Sequence, residues 1–204
     1  MAVDTTSENG SLALLNGDQV VDEVSVLAPD GFAQLLFPAI VDLLGRNQWT
    51  LNQVDLFAAA SGPGSFTGVR VGLAAVKGLA EAAGRPAQAI SNLRALAAFG
   101  TGPVRLPLIN ARRGEVYAGL YDTHLQQLEP EWTGQLSQVP HGPELIAQES
   151  WPELEAAGLP VLIAPGPLAT VVARLALSDG GVDPVGLDAN YVRRSDADGR
   201  WHDA

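Results

Sequence analysis

Residues 61–68, Ser-Gly-Pro-Gly-Ser-Phe-Thr-Gly, have the composition of a turn that could hold an anion. They follow the apolar run Leu56–Ala60, typical of a short buried strand, and precede a helical stretch whose first N–H groups would face a phosphate. However, a P-loop and a dinucleotide-binding loop both need a glycine where Thr67 stands. A hydroxyl at Ser65 or Thr67 would instead cap the helix. The sequence therefore favours a tight turn into a closely packed helix.

Asp4 and Thr5 offer a second set of groups for phosphate or metal chemistry, because they end a strand-like opening, Ala2-Val3-Asp4. The same residue types commonly bond to nearby backbone. No second carboxylate or motif lysine accompanies them, so the structural interpretation is favoured. The candidate nucleotide- or anion-binding residues are Asp4, Thr5, Gly62, Gly64, Ser65 and Thr67.

The helix that carries this turn should run from about residue 67 to Ala83, with Gly84 as its stop. Gly64, Gly68 and Gly72 recur every four residues, so they share one face and allow close approach of a neighbouring element. Each interior glycine costs about 1 kcal/mol relative to alanine, which close packing must offset. The polar residues of this helix form a narrow stripe, which predicts that it is covered on two sides.

A second helix is predicted from Gly31 to about Leu44, capped by Asp30 and kinked or restarted at Pro38. It also has a narrow polar stripe. One sheet cannot cover that much apolar surface on two helices, so we expect the pair to form a protein interface. Periodicity leaves open which residues face inward. The predicted interface residues are Gln34, Phe37, Phe66, Val69, Arg70, Val71, Leu73, Ala74, Val76 and Lys77.

Composition limits the function classes. The net charge of −11 argues against a chain that binds nucleic acid without a partner protein. Cysteine is absent, which excludes disulfides, thiolate catalysis and zinc–thiolate sites. No apolar run approaches 18 residues and no signal peptide is evident, so a cytoplasmic protein without membrane contact is expected.

The 204 residues suggest a duplicated βββαβα pattern of strands and helices. Asn16-Gly17 predicts a hairpin, and Ser91 should cap a helix to about Phe99. Later elements include strands at Arg105–Asn110, Val116–Tyr121 and near Trp132–Leu136, a helix opened by Gly142-Pro143, a buried strand at Val161–Ala164 and a helix from Leu168 to Leu177. The turns Ala60–Pro63 and Ile163–Pro167 are taken as equivalent. Residues 1–100 are predicted to form one domain and residues 101–204 a second, smaller one with a polar tail.

The blocks Gly62–Gly72, Lys77–Ala80 and Asn110–Tyr117 resemble the hallmark segments of the TsaB (YeaZ) family. The opening Val3–Thr6 and the late Ala189–Arg193 agree in order and spacing. The resemblance covers nearly the whole chain, and the glycine-rich segment is its specific part.

This resemblance implies an α/β, actin-like (hexokinase/Hsp70-type, ASKHA) ATPase fold of two ribonuclease H-like domains. It implies a role in making threonylcarbamoyladenosine beside the tRNA anticodon, as a non-catalytic partner of a TsaD-like paralogue. The resemblance further implies that a TsaE-like ATPase joins them, that the chain pairs with itself when alone, and that tRNA is contacted only through the complex. No catalytic residue and no resident cofactor is expected, although ATP or ADP at a shared interface is compatible with it.

The chain departs from the TsaD pattern because its first long helix lacks the H-x-x-x-H metal motif. His124, His141 and His202 fall in turns or the tail, so no metal site is predicted. Asn110 replaces the aspartate that many relatives carry, which weakens the case for a carboxylate base. The adjacent arginines Arg112-Arg113 and Arg193-Arg194 are predicted to be solvated.

Two other functions remain as alternatives. A small-molecule phosphotransferase or ATPase of the same fold would need an aspartate base, a metal carboxylate and phosphate-binding turns, for which Asp4 and the glycine-rich turn are the only candidates. An M22-type metallopeptidase lacks the metal ligands and is the least favoured.

Overall fold

The computed structural model describes residues 1–192, in which two five-stranded sheets are joined by helices. The strands of the first sheet are β1 Ala2–Asp4, β2 Asn9–Asn16, β3 Gln19–Leu27, β4 Phe57–Ala60 and β5 Ala87–Ile90. Those of the second are β6 Val104–Arg112, β7 Glu115–Asp122, β8 Gln127–Gln135, β9 Glu144–Ala147 and β10 Val161–Ile163. The helices are α1 Leu36–Arg46, α2 Phe66–Ala83, α3 Asn92–Ala97, α4 Pro152–Ala157 and α5 Leu168–Asp179.

The two sheets have the same topology. The first has the order β3-β2-β1-β4-β5, and the second, β8-β7-β6-β9-β10, repeats it strand for strand. In each, the first three strands are antiparallel and the fourth and fifth are parallel to the first. The duplication predicted from the sequence is confirmed at the level of strand order.

The helices tie the two sheets together. Helices α1 and α2 bury their apolar residues, including Leu43 and Val76, in one core cluster on one face of the first sheet. Helix α5, from the second half of the sequence, covers the other face, where Leu168 and Val172 pack with Ala58 and Ile90. Helix α3, in turn, packs on the second sheet, where Leu93 meets Tyr121. Each half of the sequence thus contributes one helix to the sheet of the other half.

The predicted helix caps, helix stop and hairpin turn in the first half are confirmed. Ser65 caps α2 by accepting a hydrogen bond from the N–H of Gly68 (3.3 Å), and Gly84 ends it in the left-handed region at φ 61°. Ser91 caps α3 in the same way. The hairpin β2–β3 turns at Gly17, whose φ is also positive.

Four predictions about elements were wrong. The first long helix starts at Leu36 and not at Gly31, so Asp30 does not cap it, whereas the alternative that a helical segment starts near Pro38 agrees with the structure. Gly142-Pro143 leads into strand β9, because residues 144–147 pair in parallel with β6, and helix α4 was missed. Strand β10 is largely exposed, since it lies at a sheet edge. By strand order α4 is the counterpart of α2, so Ile163–Pro167 is not equivalent to Ala60–Pro63.

Candidate functional site

The glycine face of α2 packs directly on the end of β1. A Cβ at Gly64 would lie 2.6 Å from the carbonyl oxygen of Thr6, and one at Gly72 would lie 2.5 Å from Oγ1 of Thr5. A Cβ at Gly68 would overlap the carbonyl oxygen of Thr5. The Thr5 hydroxyl donates to the carbonyl of Gly68 (2.7 Å). The predicted close approach is therefore confirmed, and the neighbouring element is β1 with the two threonines that follow it.

Asp4 belongs to a buried polar network beneath the glycine-rich turn. Its Oδ1 accepts hydrogen bonds from the N–H (2.9 Å) and the hydroxyl (2.6 Å) of Thr6, whereas its Oδ2 is buried without a partner. Burial raises the pKa of this carboxyl. Asn92 continues the network, since its amide donates to the Thr6 hydroxyl (2.5 Å) and its Oδ1 accepts from the N–H of Gly62 (3.0 Å).

The predicted anion-binding residues are thus divided between interior and surface. Asp4 and Thr5 are buried, whereas Gly64, Ser65 and Thr67 are exposed. Gly62 lies in the interior beside the cis Gly62–Pro63 peptide. Between the sheets, next to Pro63 and Asn110, a cleft of about 50 Å³ remains. The glycine-rich turn packs on the end of β1, where the N–H of Ser65 donates to the carbonyl of Thr6 (2.7 Å).

The predicted interface residues on α2 fall into a buried group and a group that is exposed or half-buried. Val69, Leu73 and Val76 lie in the core, so the structure assigns them to packing within the chain. Phe66, Arg70 and Ala74 are exposed, and Val71 and Lys77 are half-buried. The side chain of Lys77 reaches the carbonyl of Val185 (3.4 Å).

Helix α1 presents a second exposed apolar strip on the same side of the first sheet. Phe37 is 51% exposed and Val41, one turn later, is 69% exposed, while Gln34 lies exposed just before the helix. We call a subset of the exposed residues on these two helices, together with Gln34 just before α1, the docking face. Its members are Gln34, Phe37, Val41, Phe66, Arg70, Ala74 and Gly78.

Three side chains form an ordered cluster at one end of the docking face. The guanidinium carbon of Arg70 lies 3.8 Å from the centre of the Phe66 ring, and its Nε donates to the hydroxyl of Tyr191 (3.0 Å). The rings of Phe66 and Tyr191 are 6.0 Å apart. Sequence reasoning missed Tyr191, because nothing in the sequence relates it to a helix 121 residues earlier. Val41 was also missed, although its four-residue spacing from Phe37 was a usable signal.

The remaining candidates lie away from this face. Arg112 and Arg113 are exposed in a turn with positive φ, and Asn110 accepts a hydrogen bond from the N–H of Arg112 (2.7 Å). His124 and His141 are exposed. Arg193, Arg194 and His202, with the predicted polar tail, lie outside the described residues.

Neither a cluster of metal ligands nor a membrane-spanning helix is found among residues 1–192. No three His, Asp or Glu side chains lie together in a group that could hold a metal ion. None of the helices in this part of the chain has the length and apolar character needed to cross a bilayer.

Two sheets with one shared strand order, flanked by helices, define the actin-like (ASKHA) class built from duplicated ribonuclease H-like units. A family model described as "TsaD: tRNA N6-adenosine threonylcarbamoyltransferase" matches residues 26–140. The crystal structure of an uncharacterized protein from Pseudomonas aeruginosa with similarity to peptidase YEAZ superposes with a TM-score of 0.77 at 27% identity, covering 94% of this chain and 98% of that one.

Curated relatives narrow the class to a family. The tRNA threonylcarbamoyladenosine biosynthesis protein TsaB of Bacillus subtilis is 30% identical over 221 aligned positions, which cover 98% of this chain and 96% of that protein. The protein of the same name from Escherichia coli is 34% identical over 150 positions, 72% of this chain and 63% of that protein. The chain belongs to the TsaB (YeaZ) family.

Proposed function

We propose that this chain is a non-catalytic partner subunit in tRNA threonylcarbamoyladenosine formation, and that it binds and supports a TsaD-like threonylcarbamoyltransferase through the docking face. The names of its relatives support the pathway. The docking face is the observation that carries the partner role, since it exposes apolar side chains on two helices that cover the same face of the first sheet.

The composition of the docking face supports a protein partner. Phe37, Val41 and Phe66 each expose half or more of their surface, and a partner that covered these side chains would remove that apolar area from water. Arginine and aromatic residues, as at Arg70 and Phe66, are enriched where binding energy concentrates. The partner we propose is therefore a protein surface of helices, not a nucleic acid.

Gly78 gives a further reason to place a partner on α2. A Cβ at Gly78 would meet nothing within 4 Å, so no contact within the described chain explains a glycine that costs about 1 kcal/mol in a helix interior. It lies one turn after exposed Ala74. Two small residues at this spacing let another helix approach closely, which accounts for both.

The proposal also covers self-association, tRNA contact, nucleotide binding and the cellular compartment. Alone, the chain would pair with a second copy through the docking face. A chain with a net charge of −11 would contact tRNA only through the complex, in which a TsaE-like ATPase also takes part. Any ATP or ADP would bind at an interface shared with the partner, and the proposed compartment is the cytoplasm.

The rival function, a phosphotransferase or ATPase of the actin-like fold, is less well supported by the geometry. Ligand sites typically enclose about 300–1,000 Å³. The pocket beside the glycine-rich turn measures about 50 Å³, and Asp4, the one candidate base, is buried beneath that turn. A larger pocket of about 330 Å³, beside Arg94 and Glu131, is lined neither by Asp4 nor by the turn. A nucleotide would need the turn to move away from β1.

The substitution Ala74→Glu tests the proposal, because it places a charge in the middle of the docking face without touching the core. We expect it to abolish binding to the purified TsaD-like paralogue and self-association, as measured by analytical ultracentrifugation, while the circular dichroism spectrum is unchanged. Ala156→Glu, at an exposed alanine of α4, is the matched control and should bind normally.

Either of two results would count against the partner role. One is normal pairing by Ala74→Glu. The other is ATP turnover by the pure wild-type chain, which would favour the rival function.

A further inference from the structure

The carboxylate of Glu131, on β8 of the second sheet, joins three segments that are far apart in the sequence. Its Oε1 accepts hydrogen bonds from the hydroxyl of Ser91 (2.5 Å) and from that of Tyr121. Its Oε2 accepts one from the amide of Asn190 (2.6 Å). Burial raises the pKa of Tyr121, so that hydroxyl remains a donor. A carboxylate satisfies all three donors, as a neutral amide cannot.

Asn190 is fixed from the other side by the glycine-rich turn of the first half. Its backbone N–H donates to the carbonyl of Ser61 (2.8 Å), and its amide also reaches the carbonyl of Gly62 (3.3 Å). The carbonyl oxygen of Asn190 lies 3.2 Å from where a Cβ of residue 62 would stand, so the approach needs glycine. Residue 190 is thus held between the two halves.

Tyr191 follows directly and reaches the docking face. Its hydroxyl bonds to Arg70 and its ring lies beside Phe66, while 53% of its surface remains exposed. Because Glu131 holds the side chain of Asn190, the position of the next residue, Tyr191, is restrained. Tyrosine, arginine and phenylalanine in an ordered, exposed group have the composition of an interface hot spot.

We infer that the Glu131–Asn190 hydrogen bond is a clasp that positions Tyr191, and that the Tyr191–Arg70–Phe66 cluster is part of the surface bound by the TsaD-like subunit. This inference rests on the proposed function and names a further part of its interface. The occupant is the same subunit because Phe66 and Arg70 already belong to the docking face. Glu131 is a positioning residue, since it lies on the second sheet and acts on the face through Asn190.

The test is the affinity of folded Glu131→Gln protein for the purified TsaD-like paralogue, measured by isothermal titration calorimetry well below the unfolding temperature. Glutamine keeps one acceptor oxygen but turns an NH₂ toward donors. We expect the dissociation constant to rise about tenfold, because Tyr191 would no longer be held in the position that the partner binds. Glu129→Gln, at an exposed glutamate of the same strand, is the matched control and should bind normally.

A double-mutant cycle separates positioning from a general loss of stability. Tyr191→Phe removes the hydroxyl that meets Arg70 and should weaken binding by itself. If the clasp acts through Tyr191, combining it with Glu131→Gln should add little to the larger single effect. If Glu131→Gln fails to fold, Asn190→Ala breaks the clasp from its other end and replaces it in the cycle.

The outcomes distinguish the inference from the function on which it rests. Normal affinity of a folded clasp variant, together with loss of binding in Ala74→Glu, would overturn the clasp and leave the partner role intact. Fully additive effects in the cycle would also overturn it. Normal binding by Ala74→Glu would instead overturn the proposed function itself.

Discussion

The carboxyl of Asp4 lies in the interior with one oxygen bonded to Thr6 and the other without a partner. An ionised carboxylate without water or a cation nearby is unfavourable, so burial raises the pKa of Asp4. The sequence could place Asp4 at a strand end but could not show this burial. The covering surface is supplied by the turn at Gly64 and by Asn92, which are distant in the sequence.

Asp4→Asn should therefore change how stability depends on pH. The folded wild type retains the Asp4 proton more tightly than the unfolded chain does. The contribution of protonated Asp4 to the free energy of unfolding is therefore complete below the unfolded pKa of about 3.9 and is lost as pH rises through the raised folded pKa. We expect the melting temperature of Asp4→Asn, relative to wild type, to increase as the pH rises above about 4. A difference that does not vary with pH, measured by differential scanning calorimetry, would contradict the assignment.

At the scale of elements, helix α2 has one side shaped for β1 and another that faces outward. The glycine spacing, the Ser65 cap and the Gly84 stop were all readable from the sequence, because each is a local requirement of backbone and turn. Which valines and leucines face inward was not readable, since little polar contrast surrounds them. The location of α5 on the first sheet and the strand at Glu144–Ala147 depend on distant pairing partners, which local patterns do not encode.

Two glycines of α2 should respond in opposite ways to alanine. Gly68→Ala forces a methyl group against the backbone of Thr5 and should lower the free energy of unfolding by at least about 2 kcal/mol. Gly78→Ala meets nothing within the chain and should raise it by about 1 kcal/mol through helix propensity. Urea denaturation of both variants measures the difference. Equal losses of stability at the two positions would show that the glycine face is not what we describe.

At the scale of the whole molecule, the fold keeps the two-sheet frame of an actin-like ATPase, and the pocket beside its glycine-rich turn measures about 50 Å³. The halves exchange helices α3 and α5 and are linked again through Glu131 and Asn190. One exposed apolar surface that a partner could cover is the docking face on α1 and α2. This arrangement fits a subunit that supports another enzyme better than one that opens and closes on its own substrate.

The most direct test of that account is the threonylcarbamoyladenosine content of tRNA, measured by mass spectrometry of nucleosides, in cells whose own copy of this gene is deleted. We predict that the modification falls on deletion and is restored by the wild-type chain and by Ala156→Glu, but not by an equally abundant Ala74→Glu protein. Modification that persists after deletion would contradict the proposed role in this pathway. Full restoration by Ala74→Glu would contradict the claim that the chain acts through the docking face.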